Sequence, residues 1–544
     1  MYIFHLILLV TVSMLTGCHT YIVPKEHVVM FDNDGTAVNP EGNLGPNRHM
    51  NLLLSYPRYS DAEYQGHIAK ILEGINKGNT QGPKKIMMFI HGGMNTQFDS
   101  IERIATEYEQ GKTRPQLMKE AGYYPIFVNW KSSLWSSYFE HLFYIRQGHR
   151  WPWYVGWPSS LVMFPVDVTR SLVRAPLVWS MQVYNDLTTI PLINSLFGPS
   201  LQDEVATELL CRYNGRDSLE GCTKQLQFQK PPYCGLFFAV EADPPAHRPP
   251  TSTPNHQTFP IAVGEDLRRC AEMTGHFFSY LATFPAKLAI GPVLDTFGTS
   301  AWDNMQRRIH FLFHKEEEMD DRNGNSEIIQ TARQNHNLAM IEATGGLSVF
   351  LRALREHMKG EQWELVLVGH SMGTIVINEL LRSFGDDQLP VTHIVFLAAA
   401  ASIRDYEDSV WPFMRTHPQS KFHNFTLHPI EELSEIQYSL FDLPPRGTLL
   451  EWLDHFLADP ITLKDRTVGR YDNFLKAMHD TPTELRPDIR PGLRPRINFR
   501  SFNAGQRVEK ENPQTHSDAG ERFRFWESQC WAVNAQLGEC IKPK

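Results

Sequence analysis

Apolar residues fall along this chain in two rhythms. Short runs rich in β-branched and aromatic residues recur at 28–31, 84–90, 126–130, 365–368, 393–400, 421–428 and 496–502. Each has the length of one strand, and runs that are apolar on both sides belong in a buried parallel sheet. Between them the spacing becomes helical. Leu347, Phe350, Leu351, Leu354 and Met358 mark one helical face ahead of the 365–368 run. Ile375, Val376, Leu380 and Leu381 mark another behind it, with Gly385 as a stop signal. Strands alternating with helices predict an α/β fold, a mostly parallel sheet with helices on both faces.

One interval breaks this rhythm. The strands at 126–130 and 365–368 are separated by positions 131–363, far more than a crossover helix needs. The segment 131–330 therefore reads as an insertion, flanked by core segments 18–130 and 331–544. Five of the chain's twelve tryptophans, Trp130, Trp135, Trp151, Trp153 and Trp157, fall within one short stretch at its start. Two amphipathic stretches follow, 161–184 and 276–297. Pro165, Asp167, Arg170 and Pro176 interrupt the first, and Pro285, Lys287 and Pro292 the second, so neither is expected to span a membrane. Three roles stay open for them: the core of a cap, the wall of an apolar acyl pocket, or a helix lying in a lipid interface. Positions 243–260 read as a Pro-rich loop and 315–327 as a charged connector.

The chemistry concentrates after the 365–368 run, in Gly369-His370-Ser371-Met372-Gly373. Strand, G-x-S-x-G and helix in direct succession form a nucleophile elbow. Glycines let the backbone pass closely while a strained turn lifts the serine hydroxyl above the sheet edge. The N–H of Met372, at a helix N-terminus, then faces any negative charge forming on a bound carbonyl. The bland alternative is a serine that only caps a helix.

This segment resembles the α/β-hydrolase superfamily, whose esterases and lipases often carry G-H-S-M-G or a close variant. The 84–90 run leads into His91-Gly92-Gly93-Met94-Asn95. The resemblance implies that Gly93 is the second oxyanion donor beside Met372, and that the 131–330 insertion is a cap or lid. It also places an acid after the strand at 421–428, where Pro429-Ile430-Glu431-Glu432 follows. Glu432 is the choice, with Glu431, Glu435, Asp442 and Asp454 open. The general base is expected in the loop after the last strand, and His516 is the only histidine beyond His479. A helical segment is expected at 523–526. Together these imply a serine hydrolase of carboxylic esters with lipidic or bulky apolar acyl groups. The mechanism implied needs no cofactor and no metal.

Two further patterns need placing. An apolar run ending in Asp32-Asn33-Asp34-Gly35-Thr36 resembles the first motif of haloacid-dehalogenase-type phosphatases, which would make Asp32 a nucleophile and Asp34 an acid/base near Mg²⁺. The plainer reading is an opening β-hairpin turning at Asn33-Asp34-Gly35. A hydrolase fold serving as a non-catalytic envelope binding module is the other alternative.

Composition sets the address more than the chemistry. A net charge of −9 over 544 residues argues against nucleic acid as a partner. Residues 3–15 form an apolar stretch too short to span a bilayer, ending in Leu15-Thr16-Gly17-Cys18. That ending resembles a bacterial lipobox, which implies a signal peptide over 1–17, lipidation of Cys18 and attachment to the membrane surface. In a Gram-negative cell it implies the outer membrane. The six other cysteines suit an oxidising compartment. Local pairing predicts Cys211–Cys222, Cys234–Cys270 and Cys530–Cys540.

Overall fold

The computed structural model describes residues 24–41, 56–78, 84–146, 149–189, 259–315, 344–385, 389–427, 431, 432, 435, 447–482, 485, 496–502, 513, 515–531 and 537–542. Cys18, the leader segment, Asp442 and Cys211, Cys222 and Cys234 lie outside them, as does the side chain of Cys270.

Seven strands build one sheet: β1 (Val28–Phe31), β2 (Lys84–Ile90), β3 (Tyr124–Trp130), β4 (Trp363–His370), β5 (Val391–Leu397), β6 (Lys421–Thr426) and β7 (Ile497–Ser501). Their order across the sheet is β1-β3-β2-β4-β5-β6-β7, and every neighbouring pair is parallel. The principal helices are α1 (Asp61–Gly78), α2 (Gln97–Ala105), α3 (Leu134–Phe143), α4 (Trp153–Thr189), α5 (Phe259–Phe313), α6 (Gly346–Met358), α7 (Gly373–Phe384), α8 (Ile403–Thr416) and α9 (His516–Glu521).

The core explains the patterning. Leu365, Val366, Leu367 and Val368 of the central strand β4 are all fully buried. Burial of each side chain contributes roughly 1.5–3 kcal/mol. Leu347, Phe350, Leu351, Leu354 and Met358 are buried together on α6, as their spacing predicts. Helix α7 goes further than its predicted stripe: Ile377, Asn378, Glu379 and Phe384 are buried as well. The reason is tertiary, because α8 and α5 pack against α7 in addition to the sheet. Gly385 does follow the last turn of α7, but in a right-handed conformation.

The described part of the insertion is mostly helical, with one short antiparallel pair, Ile145–Arg146 beside His149–Arg150, ahead of α4. α3, α4 and α5 pack on one another, and α5 continues onto α6 and α7 of the core. Both long helices exceed the predicted stretches and run through their prolines. A buried ion pair fastens α3 to α5. Glu140 of α3 accepts from Arg308 of α5 at 2.9 Å (Nε) and 2.7 Å (Nη2), while Arg308 Nη1 donates to the Lys131 carbonyl at 3.0 Å. No helix among the described residues is long and apolar enough to cross a membrane.

Two local expectations are corrected. Asn33-Asp34-Gly35 does turn, with Gly35 at φ +78, but only an isolated bridge between Phe31 and Ala37 follows. The run 28–31 is instead a parallel edge strand beside β3, a pairing set by a segment a hundred residues away. Residues 523–526 form no helix. Phe523 bridges to Ile541, and Phe523, Phe525 and Trp526 are all buried, which the one-sided burial of a surface helix would not allow. Phe525 stacks on Phe89 of β2 at 4.7 Å and Phe523 packs on Phe425 of β6 at 4.8 Å. Cys530 and Cys540 are disulfide-bonded, with Cα atoms 5.8 Å apart.

Candidate active site

The connections from β2 and β4 leave the sheet in opposite senses, so a crevice opens between the carboxyl ends of these adjacent strands. In open parallel sheets such a switch point is where ligands bind. His91-Gly92-Gly93 emerges from β2 there, and Ser371 from β4.

Ser371 sits between β4 and α7 at φ +53, a left-handed conformation that costs a non-glycine residue of order 1–3 kcal/mol. The surroundings hold it in place. Its N–H donates to the Leu397 carbonyl at 3.0 Å. Its own carbonyl accepts from Thr374 N (3.1 Å), Ala400 N (3.1 Å) and Thr374 Oγ1 (2.7 Å). The glycines of the motif are required by space. A Cβ on Gly373 would lie 2.2 Å from the Ile90 carbonyl oxygen, so only glycine lets α7 start this close to β2.

His516, the first residue of α9, brings Nε2 to 2.8 Å from Ser371 Oγ across 145 positions of sequence. Its main chain is gripped on both sides. Glu435 Oε2 accepts from its N–H at 2.9 Å, and His370 Nε2 donates to its carbonyl at 2.9 Å. Burial and the neighbouring His370 push the His516 pKa well below the ordinary value. The ring is therefore neutral at physiological pH, and a neutral ring accepting the Ser371 proton at Nε2 carries its own on Nδ1. His516 Nδ1 is buried and has no hydrogen-bond partner among the described residues.

The oxyanion candidates face each other. A Cβ on Gly93 would lie 2.5 Å from Met372 Sδ, and one on Gly92 2.7 Å from Ser371 Cβ. Three donors hold the Gly92 carbonyl: His91 Nδ1 (2.6 Å), Ser132 Oγ (3.2 Å) and Asn95 Nδ2 (3.2 Å). In a planar trans peptide the next N–H points the opposite way, so this grip also sets the direction of the Gly93 N–H. Met94 follows at φ +63, its N–H donating to the Ser132 carbonyl at 2.7 Å.

The carboxylates are arranged differently from the expectation. Glu432 is buried, but its hydrogen bond goes to Thr448 Oγ1, and no hydrogen bond joins it to His516. Burial raises its pKa to about 8. Asp454 is spent on Thr467 N, Arg470 and Asn473. Glu435, one of the carboxylates left open by the sequence, touches His516 at the main chain rather than the ring. Burial lifts its pKa to about 7. His370 is the contact that motif reading missed. The x of G-x-S-x-G carries no prescribed role, and its partner lies 146 residues away.

At the other motif, Asp32 ends β1 buried, 3.2 Å from Arg58 Nη2 and 3.5 Å from Lys131 Nζ, while Asp34 pairs with Arg58 at 2.8 Å. Among the described residues no group of three His, Cys, Asp or Glu side chains could hold a metal ion. A Ser–His pair in hydrogen-bond contact can accept an acyl group onto the serine oxygen. Comparison with protein families, with curated proteins and with solved structures finds no match for this chain.

Proposed function

We propose that this protein has the α/β-hydrolase fold and is a serine hydrolase of carboxylic esters with lipidic or bulky apolar acyl groups, tethered to the bacterial envelope through Cys18. One observation carries the reading: the 2.8 Å contact between His516 Nε2 and a strained, buried Ser371 hydroxyl. His516 takes the hydroxyl proton as Ser371 Oγ bonds to the ester carbonyl carbon. The oxyanion that forms is stabilised by the N–H groups of Met372 and Gly93, each donor worth roughly 3 kcal/mol. His516 then hands its proton to the departing alkoxide. Water, deprotonated by the same ring, attacks the acyl-enzyme, and the carboxylic acid leaves as the proton returns to Ser371.

Orientation of the ring, assigned by resemblance to Glu432, is carried in this reading by Glu435 and His370 through the His516 main chain. The phosphatase reading has less support, because the Asp32 carboxylate is already engaged by Arg58 and Lys131. The test is labelling by a fluorophosphonate probe together with p-nitrophenyl ester hydrolysis. Wild type should label and turn over, and Ser371→Ala and His516→Ala should do neither. Absent labelling of the wild type would favour the binding module, and Mg²⁺-dependent activity lost in Asp32→Asn the phosphatase.

A further inference from the structure

Helix α4 is built inside out. Its solvent-exposed positions between 154 and 180 are Tyr, Trp, Pro, Leu, Val, Phe, Thr and Ser, with no charged residue among them. Leu161 is 80% exposed and Val173 75%, and Val162, Val166, Leu172 and Leu177 continue the stripe. The charges point the other way. Asp167 is buried against Tyr138 (3.2 Å) and His141 (3.1 Å), and Arg174 reaches Asp295 (3.4 Å) and Asp459 (3.0 Å). Ser171 bonds the Pro292 carbonyl. The exposed threonine and serine hydroxyls turn back onto the helix: Thr169 Oγ1 donates to the Pro165 carbonyl and Ser180 Oγ to the Leu177 carbonyl, each at 2.8 Å.

A water-facing helix shows the reverse polarity. Polar groups inward, aliphatic groups outward and hydroxyls satisfied internally are what a hydrocarbon environment selects. Exposed tryptophan and tyrosine cluster at the start of the stripe (Trp151, Tyr154, Trp157), as amphipathic rings do at a polar–apolar boundary. We infer that the outer face of α4 docks into the interface of a lipid bilayer. It lies in the membrane surface and does not span it. No helix among the described residues is long and apolar enough to cross a membrane, and a helix with one apolar and one polar face lies at the headgroup boundary. This contact is separate from any acyl chain on Cys18 and stands whether or not Ser371 is catalytic.

The test uses the full chain carrying Cys18→Ser, so that no acyl group is attached. A photoreactive p-benzoylphenylalanine replaces Val173, or Glu73 on α1 as a control, with vesicles of phosphatidylethanolamine and phosphatidylglycerol. Position 173 should give lipid adducts roughly tenfold above position 73. Adducts from 173 to residues 190–258 of the same chain, to a second copy, or none to lipid would overturn the inference. As a second measurement, Leu161→Glu, Val166→Glu, Val173→Glu and Leu177→Glu combined should lower vesicle association roughly tenfold. Hydrolysis of a short soluble ester should be unchanged. Cys18→Ser chain that docks but hydrolyses nothing would sink the proposed function alone, and Cys18→Ser chain that hydrolyses without docking would sink this inference alone.

Discussion

At the scale of single residues, the candidate site is a set of groups whose protonation burial has shifted. His516 is held well below the ordinary imidazole pKa by burial and by His370. The base is thus neutral at mildly acid pH, and the acidic limb of kcat/KM for ester hydrolysis should have its midpoint below about 6.5, the ordinary imidazole value. A midpoint at or above that value would show that a carboxylate faces the ring in the working enzyme. Glu435 has the opposite shift, to about 7 by burial, and its Oε2 holds the His516 N–H. Glu435→Gln keeps an acceptor for that N–H, so kcat should fall only a few-fold while any inflection near pH 7 disappears. Gly93→Ala places a Cβ 2.5 Å from Met372 Sδ and displaces the donor it shares a peptide with. It should lower kcat about tenfold to a hundredfold with little change in KM or melting temperature.

Among elements, the informative contacts join segments distant in sequence. Glu140 on α3 and Arg308 on α5 form a buried pair that fastens these two helices together. Glu140→Ala leaves the guanidinium buried without its carboxylate and should cost roughly 3–5 kcal/mol in urea denaturation. The disulfide between Cys530 and Cys540 closes a loop of sequence separation 10 beside the buried aromatic tail. Reduction, or replacement of both cysteines by serine, should lower stability by about 2–4 kcal/mol. Both predictions concern structure alone and hold whatever the protein acts on.

For the molecule as a whole, buried titrating groups set how stability follows pH. His91 and His370 have pKa values lowered from 6.5 to about 4 by burial. The unfolded chain therefore binds more protons, and this contribution is lost as pH falls from 6.5 towards 4. Glu432 and Glu435 are raised from 4.5 to about 8 and about 7, so their contribution is full below 4.5 and is lost as pH rises through those values. The two groups oppose each other between 4.5 and 6.5, and above 6.5 only the carboxyl contribution changes. Stability should decline from about pH 6.5 to about 8.5, with Glu432 accounting for on the order of 2 kcal/mol. Glu432→Gln should flatten that decline in thermal melts, and an unchanged slope would show that the carboxyl is ionised in the fold.

Much of the sheet and one half of the candidate site were legible in the residues themselves. Strands such as 84–90 and 365–368 are apolar on both faces wherever they are placed. The elbow around Ser371 is a local geometry that glycines and a strained turn define within the motif itself. His516 could be singled out because no other histidine follows His479. The carboxylate could not, because Glu432 and Glu435 lie within one turn of each other and only the packing of Thr448 and α9 decides which touches what. Nor could the partner of 28–31, whose hydrogen bonds are shared with a strand a hundred residues on. The sequence by itself determined that α4 would be apolar and interrupted by charge. Only the tertiary structure decided which side faces out, since Asp167, Ser171 and Arg174 turn inward onto α3 and α5 and leave the aliphatic stripe on the exposed side.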